Sequence, residues 1–183
     1  MNNQQGKTFN AEKKQINIAD QLLNIMWSTI CFTPIVMYWT ALGTQKWLYV
    51  FVFSGIVTMF MPEGVLYKLR FRGRRKFYEN RGVRMFRKLV QEGNHSWATK
   101  TKIKNVTNKM EAIRYLGKID MYERFHWGCL IFFLFSSLHC FVHGKLIYGI
   151  LITAANAIYN IPTILLQQYN RLRIEVMLKL KEK

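Results

Sequence analysis

Four apolar blocks that are nearly free of charge constrain the fold of this chain more than any other feature. They occupy residues 21–45, 47–62, 127–144 and 146–168. A membrane-spanning helix needs roughly 17–25 apolar residues, and each block has about this length, the second only just. A soluble four-helix bundle is the alternative, but it would carry charge on every turn of its outer faces. The pattern therefore predicts an all-α integral membrane protein with four transmembrane helices in two hairpins.

The basic residues are distributed unevenly between the connections. The net charge is +17, and residues 63–125 alone contain 17 Lys/Arg against 6 Asp/Glu, whereas the short connections inside the hairpins hold only Lys46 and Lys145. By the positive-inside rule, both termini and the central segment lie in the cytoplasm. The predicted units are a polar head, a first hairpin, a basic interface segment, a second hairpin and a basic tail, at residues 1–20, 21–62, 63–125, 126–168 and 169–183.

The central basic segment predicts contact with lipid. Between residues 67 and 90, aromatic and apolar side chains interleave with arginines that include Arg81 and Arg84. This pattern favours short helices lying in the membrane interface, with guanidinium groups against phosphates. Because the basic residues flank apolar spans, we expect membrane lipids as partners and no nucleic acid. A solvated basic loop is the alternative.

The last apolar block carries a row of polar side chains on one helical face. At 3.6 residues per turn, the members of this row are Asn156, Asn160, Thr163, Gln167, Asn170 and Arg171. Amides in an apolar helix are costly unless they find partners. They can attach the helix to its neighbours, as in many membrane bundles. We favour a polar groove for an anionic or hydroxyl-rich head group, with Tyr169, Arg171 and Arg173 at its mouth.

A carboxylate and an imidazole stand one helical turn apart where the third span begins. Glu123 and His126 have the spacing that allows their side chains to meet. A carboxylate that hydrogen-bonds to a histidine fixes the tautomer of the imidazole and makes the imidazole more basic. Deprotonation of an alcohol requires such a base. Because a short turn joins the third and fourth spans, we expect this pair to converge with Asn170 and Arg171.

Other chemistry has little support in the sequence. The cysteines Cys31, Cys129 and Cys140 all lie in apolar blocks and form no CxxC pair, so neither a zinc site nor a disulfide framework is predicted. No cofactor or metal is expected. The sequence also lacks a His-x-x-x-x-Asp box and a Gly-x-Ser-x-Gly nucleophile elbow.

Three sequence elements together resemble a known family. They are Glu123-x-x-His126-Trp127, residues 77–87, and the signature Asn156…Asn160-Ile161-Pro162…Gln167-x-Tyr169-Asn170-Arg171-x-Arg173. The chain resembles, over residues 70–175, the glycosyl-4,4'-diaponeurosporenoate acyltransferase family of small bacterial membrane proteins. The resemblance implies transfer of a fatty acyl group to a sugar hydroxyl of a glycosylated carotenoid at the bacterial cytoplasmic membrane. The implied partners are acyl-CoA or acyl carrier protein as donor and a glycolipid as acceptor.

This resemblance leads to a hypothesis of direct acyl transfer. His126, oriented by Glu123, would take the proton of the acceptor hydroxyl. The side chains expected to stabilise the oxyanion are Asn160, Gln167 and Asn170. Donor phosphates would meet Arg171, Arg173 and the arginines of residues 70–87. Two other functions stay open: a non-catalytic subunit that packs against a larger membrane protein or a second copy of the chain, and a lipid-binding module.

Overall fold

The computed structural model describes residues 2–43, 45–71, 75–80, 82–83 and 109–181. Within these ranges the chain is helical and contains no strand, so the all-α prediction is confirmed. The helices are α1 (Asn2–Leu42), α2 (Lys46–Met59), α3 (Glu63–Leu69), α4 (Arg75–Asn80), α5 (Lys109–Val142) and α6 (Leu146–Lys181).

The centre of the fold is the pair α5 and α6, which pack against each other along much of their length. The turn between them comprises residues 143–145. Gly144 adopts a φ of 69°, a left-handed conformation that glycine accepts without strain. The amide of Lys145 then donates to the carbonyl oxygen of Cys140 at 2.8 Å, which closes the end of α5. This tight turn makes the two helices antiparallel neighbours.

In the described part of the chain, three helices are long and apolar enough to cross a membrane: Asn24–Leu42 of α1, Ala112–Val142 of α5 and Leu146–Leu178 of α6. Helix α2 is too short to cross alone, because its 14 residues rise about 21 Å against about 30 Å of hydrocarbon. The chain bends by 95° between α2 and α3. Pro62, which precedes α3, cannot donate the amide hydrogen that would continue α2. The four-span count holds only if this bent pair is one span.

The first hairpin is also looser than predicted, because α1 packs mainly on α6 and α2 mainly on α5. The contact between α2 and α5 depends on two glycines. A Cβ added to Gly128 would lie 2.7 Å from the carbonyl oxygen of Gly55, so the two backbones approach as closely as glycine permits. The close contact of α2 with α5 places α2 against a different helix from α1, which packs on α6. The first two helices therefore do not form a closely paired hairpin.

The core lies between α1, α5 and α6. At the end near the 143–145 turn it contains Ile35, Tyr38, Trp39, Phe133, Cys140 and Ile152. Large apolar side chains such as Phe53, Ile147 and Ile150 remain exposed on the outside of the helices. An apolar exterior of this extent is the surface that a protein presents to lipid. The fold is that of a membrane protein whose polar groups are gathered inside.

Part of the basic segment folds back onto the opposite end of α6. Tyr78 of α4 and the neighbouring Val83 are buried against Leu166 and Tyr169. The hydroxyl of Tyr78 donates to the carbonyl oxygen of Phe71 at 2.6 Å. The short helices α3 and α4 are therefore present, and apolar side chains anchor α4 to the end of α6.

Candidate functional site

Polar side chains from α3, α5 and α6 meet in two adjoining layers. The first, called the ion-pair layer, consists of Arg70, Asp120, Glu123, Arg124, Gln168 and Arg171. The second, called the histidine layer, lies next to it along α5 and consists of His126, Asn156, Asn160 and the carbonyl group of Leu130.

Glu123 is the most deeply buried member of the ion-pair layer, with an exposed fraction of 0%. Its Oε2 accepts a hydrogen bond from Arg70 Nε at 3.0 Å. Its Oε1 accepts one from Gln168 Nε2, also at 3.0 Å. A buried carboxylate is tolerated when a cation and further hydrogen bonds satisfy both oxygens. Glu123 therefore joins α5 to the basic segment and to α6.

The predicted contact between Glu123 and His126 is wrong. The two side chains share one face of α5, but each has a different partner: Glu123 binds Arg70 and Gln168, whereas His126 binds Asn160. A guanidinium is a stronger partner for a carboxylate than a neutral imidazole, because its hydrogen bond is charge-assisted. The carboxylate is consequently engaged elsewhere and does not orient the histidine.

Asp120 lies one turn before Glu123 and binds three arginines. Its Oδ1 accepts from Arg70 and from Arg171, each at 2.8 Å, and its Oδ2 accepts from Arg124 Nε at 2.9 Å. Arg124 also donates to the carbonyl oxygen of Met61, where α2 ends. Arg171 was predicted to meet an anionic head group. In the structure its Nη2 donates to Asp120, since two helices bring the two groups together, and its contact with a head group stays a prediction.

Gln168 extends the ion-pair layer to α4. Its Oε1 accepts from the backbone amide of Phe71 at 3.2 Å and from the hydroxyl of Tyr78 at 3.4 Å. Burial raises the pKa of Tyr78 above its ordinary value; the negative charge of Glu123 raises this pKa further, and Arg70 lowers it. Tyr78 therefore stays a neutral phenol that donates hydrogen bonds. Gln168, which the sequence analysis left out of the site, is one of its central members.

The histidine layer is a single chain of hydrogen bonds. His126 Nδ1 and Asn160 Oδ1 are 3.0 Å apart, Asn160 Nδ2 donates to Asn156 Oδ1 at 2.8 Å, and Asn156 Nδ2 donates to the carbonyl oxygen of Leu130 at 3.1 Å. Among the residues that the structure describes, His126 Nε2 has no hydrogen-bond partner. One ring nitrogen is thus held and the other is left for chemistry.

An aromatic side chain packs on the imidazole. The rings of His126 and Tyr159 have centroids 5.1 Å apart. The hydroxyl groups of Tyr159 and Ser28 share a hydrogen bond of 3.0 Å, which connects this part of α6 to α1. The three long helices therefore all contribute to the surroundings of His126.

The predicted convergence of the Glu123–His126 pair with Asn170 and Arg171 is found only in part. Glu123 and Arg171 share the ion-pair layer, whereas His126 does not reach Asn170. Asn160 is the residue of α6 that contacts His126. Asn170 lies about 15 Å further along the same helix, at 1.5 Å per residue, although it is buried. Gln167, also buried, lies about 10 Å from Asn160 by the same measure. Neither amide can serve a carbonyl group held at His126.

Two further predicted residues, Tyr169 and Arg173, lie on α6 beside the ion-pair layer. The hydroxyl of Tyr169 donates to Glu79 Oε1 at 3.2 Å, and the guanidinium of Arg173 lies 5.7 Å from the centre of the Tyr169 ring. Tyr169 therefore helps to hold α4 against α6, and Arg173 packs on Tyr169 from the same helix. Arg81 and Arg84 are outside the described residues, so their predicted role as phosphate ligands stays a prediction.

The sequence analysis also missed polar groups near the 143–145 turn. The hydroxyl of Tyr38 and Nδ1 of His139 are 2.6 Å apart, and Nε2 of His139 lies 3.0 Å from Nε2 of His143. His139 is buried. The spacing of His139 and His143 by four residues could have indicated their contact. Their distance from His126 along α5 separates them from the two layers.

These helices and layers define an integral membrane protein with a polar site inside one end of its helix bundle. The family model of glycosyl-4,4'-diaponeurosporenoate acyltransferase matches residues 62–180, and the chain belongs to this family. The matched range includes every residue of both layers. The resemblance found in the sequence is thereby confirmed, and the family's name indicates an acyltransferase. No curated protein and no solved structure matched the chain.

Proposed function

We propose that this protein transfers a fatty acyl group to a hydroxyl of a glycosylated, carotenoid-like lipid, with His126 as the general base. One observation carries the proposal: Nδ1 of His126 is held by Asn160, while Nε2 has no partner within the described part of the chain. A histidine with one nitrogen oriented and the other available is the arrangement that general-base catalysis uses. The family's name supplies the reaction type and the glycosyl acceptor.

The reaction requires one proton to move twice. Nε2 of His126 takes the proton of the acceptor hydroxyl while the hydroxyl oxygen forms a bond to the carbonyl carbon of an acyl thioester. The tetrahedral intermediate then collapses, the carbon–sulfur bond breaks, and the leaving thiolate takes the proton from the imidazolium. The products are the acylated lipid and the free thiol of the donor. Acyl-CoA and acylated acyl carrier protein are both thioesters, so either can be the donor.

The depth of His126 favours a lipid acceptor. Along α5, His126 lies about 9 Å beyond Asp120, at 1.5 Å per residue, and therefore further into the apolar part of the bundle. A hydroxyl that reaches this position must belong to a molecule that resides in the membrane. The ion-pair layer lies between this position and the basic segment, where a cytoplasmic donor would approach. We further propose the cytoplasmic membrane of a bacterium as the location, in line with the family. Both termini lie in the cytoplasm if the bent pair of α2 and α3 is one span, because an even number of spans returns the chain to the same side.

The function is tested by mass spectrometry of membrane lipids from cells that carry wild type, His126→Ala or no protein. We expect an acylated lipid that is present with wild type and missing from the other two strains. His143→Ala is the matched control, because the same substitution is made about 25 Å away along α5, and it should retain the product. An unchanged lipid profile would contradict the proposal and favour the subunit or lipid-binding alternatives.

A further inference from the structure

The series of hydrogen bonds beside His126 ends at a backbone carbonyl group, which can only be an acceptor. The carbonyl oxygen of Leu130 accepts hydrogen bonds and cannot donate them. Asn156 must therefore turn its NH2 group toward Leu130, at 3.1 Å. The opposite orientation of this amide would place two oxygen atoms against each other at that distance. The side-chain oxygen of Asn156 consequently points to Asn160.

The orientation of the Asn156 amide determines the orientation of the Asn160 amide and, through it, the position of the hydrogen on the imidazole. Asn156 offers an acceptor, so Asn160 presents its NH2 group there, at 2.8 Å. The oxygen of Asn160 is then left for His126, and at 3.0 Å it requires a hydrogen on Nδ1. In the neutral imidazole the lone pair must reside on Nε2. A backbone carbonyl on α5 thus determines, through two amides of α6, which nitrogen of His126 can accept a proton.

We propose that Asn156 is a positioning residue that holds His126 in the tautomer with hydrogen on Nδ1, so that Nε2 is the base. The inference rests on the proposed function for its catalytic meaning, but it concerns the proton on a ring nitrogen and can be measured without turnover. Asn156 touches neither the imidazole nor the reacting atoms, and it acts only through Asn160.

Among the residues that the structure describes, Asn160 is the only hydrogen-bond partner of His126, so no other described side chain selects this tautomer. The neighbouring rings of Phe125 and Tyr159 pack on the imidazole at centroid distances of 5.3 and 5.1 Å. Asn160 is fully buried, so water does not compete for its amide. If Asn156 were lost, the Asn160 amide could reverse and donate to Nδ1, which would move the hydrogen to Nε2.

The test is ¹⁵N NMR of the full chain in lipid nanodiscs, with label in the histidine rings. The chain has four histidines. The resonances of His126 are those that disappear in His126→Ala. In wild type we expect a nitrogen that bears hydrogen at Nδ1 and one that bears a lone pair at Nε2. In Asn156→Leu the ratio of this tautomer to the other should fall about fivefold, the factor that one net hydrogen bond represents.

Two further variants separate tautomer control from packing. A carboxylate at position 160 can only accept, so Asn160→Asp should restore the wild-type tautomer when it is combined with Asn156→Leu. Thr163→Val is the matched control, since it also replaces a polar group on α6, but one that donates only to the carbonyl of Tyr159 in its own helix. The control should leave the His126 resonances unchanged.

Each outcome has a defined meaning. A wild-type tautomer with hydrogen on Nε2 would overturn the proposal, and so would an unchanged ratio in Asn156→Leu or a failure of the double variant to restore it. These results are independent of the proposed function, which fails if the wild-type protein transfers no acyl group or if His126→Ala retains acyl transfer. A protein with the expected tautomer but no transferase activity would keep the positioning role and remove its catalytic purpose.

Discussion

Glu123 holds the basic segment on the helix bundle, and its replacement by glutamine measures that role. Glutamine has the shape of glutamate but offers one acceptor oxygen and one NH2 group. The two partners of Glu123, Arg70 Nε and Gln168 Nε2, are both donors. In Glu123→Gln one of them must therefore face another donor. If Gln168 turns away to avoid this contact, the amide of Phe71 loses its acceptor.

The expected cost follows from these contacts. A hydrogen bond to a charged group contributes about 1.5–3 kcal/mol, and breaking a buried ion pair costs about 3–5 kcal/mol. Because Arg70 keeps its contact with Asp120 at 2.8 Å, we take the lower part of this range, about 3 kcal/mol. That value corresponds to about a 100-fold larger population of the open state of the segment around Phe71, and therefore to about 100-fold faster amide exchange. Amide hydrogen exchange at Phe71, followed by NMR in nanodiscs, reports this opening directly.

Glu175→Gln is the matched control for this experiment. The same substitution there affects a side chain that is 47% exposed and lies 3.9 Å from Arg171, so the exchange rate at Phe71 should change less than fivefold. The His126 tautomer should also be the same in Glu123→Gln as in wild type, because the two side chains do not touch. Wild-type exchange at Phe71 in Glu123→Gln would refute the reasoning.

Two further predictions concern stability. Gly128→Ala should destabilise the protein by about 1–3 kcal/mol because its Cβ meets the backbone of α2, whereas Gly117→Ala, with no neighbour within 4 Å, should stabilise it by about 1 kcal/mol. Unfolding in detergent with increasing denaturant measures both, and equal effects would contradict the close packing of α2 on α5. Tyr38→Phe should cost about 1–2 kcal/mol because Nδ1 of His139 loses its partner, with unchanged acyl transfer; Tyr49→Phe, at an exposed tyrosine, is the control.

The sequence was sufficient to predict the helical class and the apolar segments, because long apolar blocks of about the thickness of a bilayer are typical of membrane-spanning helices. It also identified Asn156, Asn160 and His126 as polar residues in an apolar setting, and all three join one hydrogen-bond chain. The second apolar block was expected to be only just long enough to cross a membrane, and α2 with its 14 residues reaches that length only together with α3. The 95° bend between the two helices depends on how α3 docks, which local sequence does not determine.

The partners within the site could not be read from the sequence. Glu123 and His126 are neighbours on one helix, so a contact between them was the simplest expectation. The actual partner of Glu123, Arg70, is 53 positions away. The acceptor that orients the amides is a backbone carbonyl of Leu130, and every residue has such a group. Only the packing of α5 against α6 selects this particular one.

The most direct test of the central claim is the initial rate of acyl transfer by purified protein in nanodiscs, with a glycosylated polyene lipid as acceptor and a labelled acyl thioester as donor. We predict that His126→Ala lowers the rate about 10²–10⁴-fold, the range that a general base contributes. The slow hydrogen exchange at Phe71 should be retained, which shows that the site is still folded. A rate for His126→Ala within a few-fold of wild type would contradict the assignment of His126 as the catalytic base.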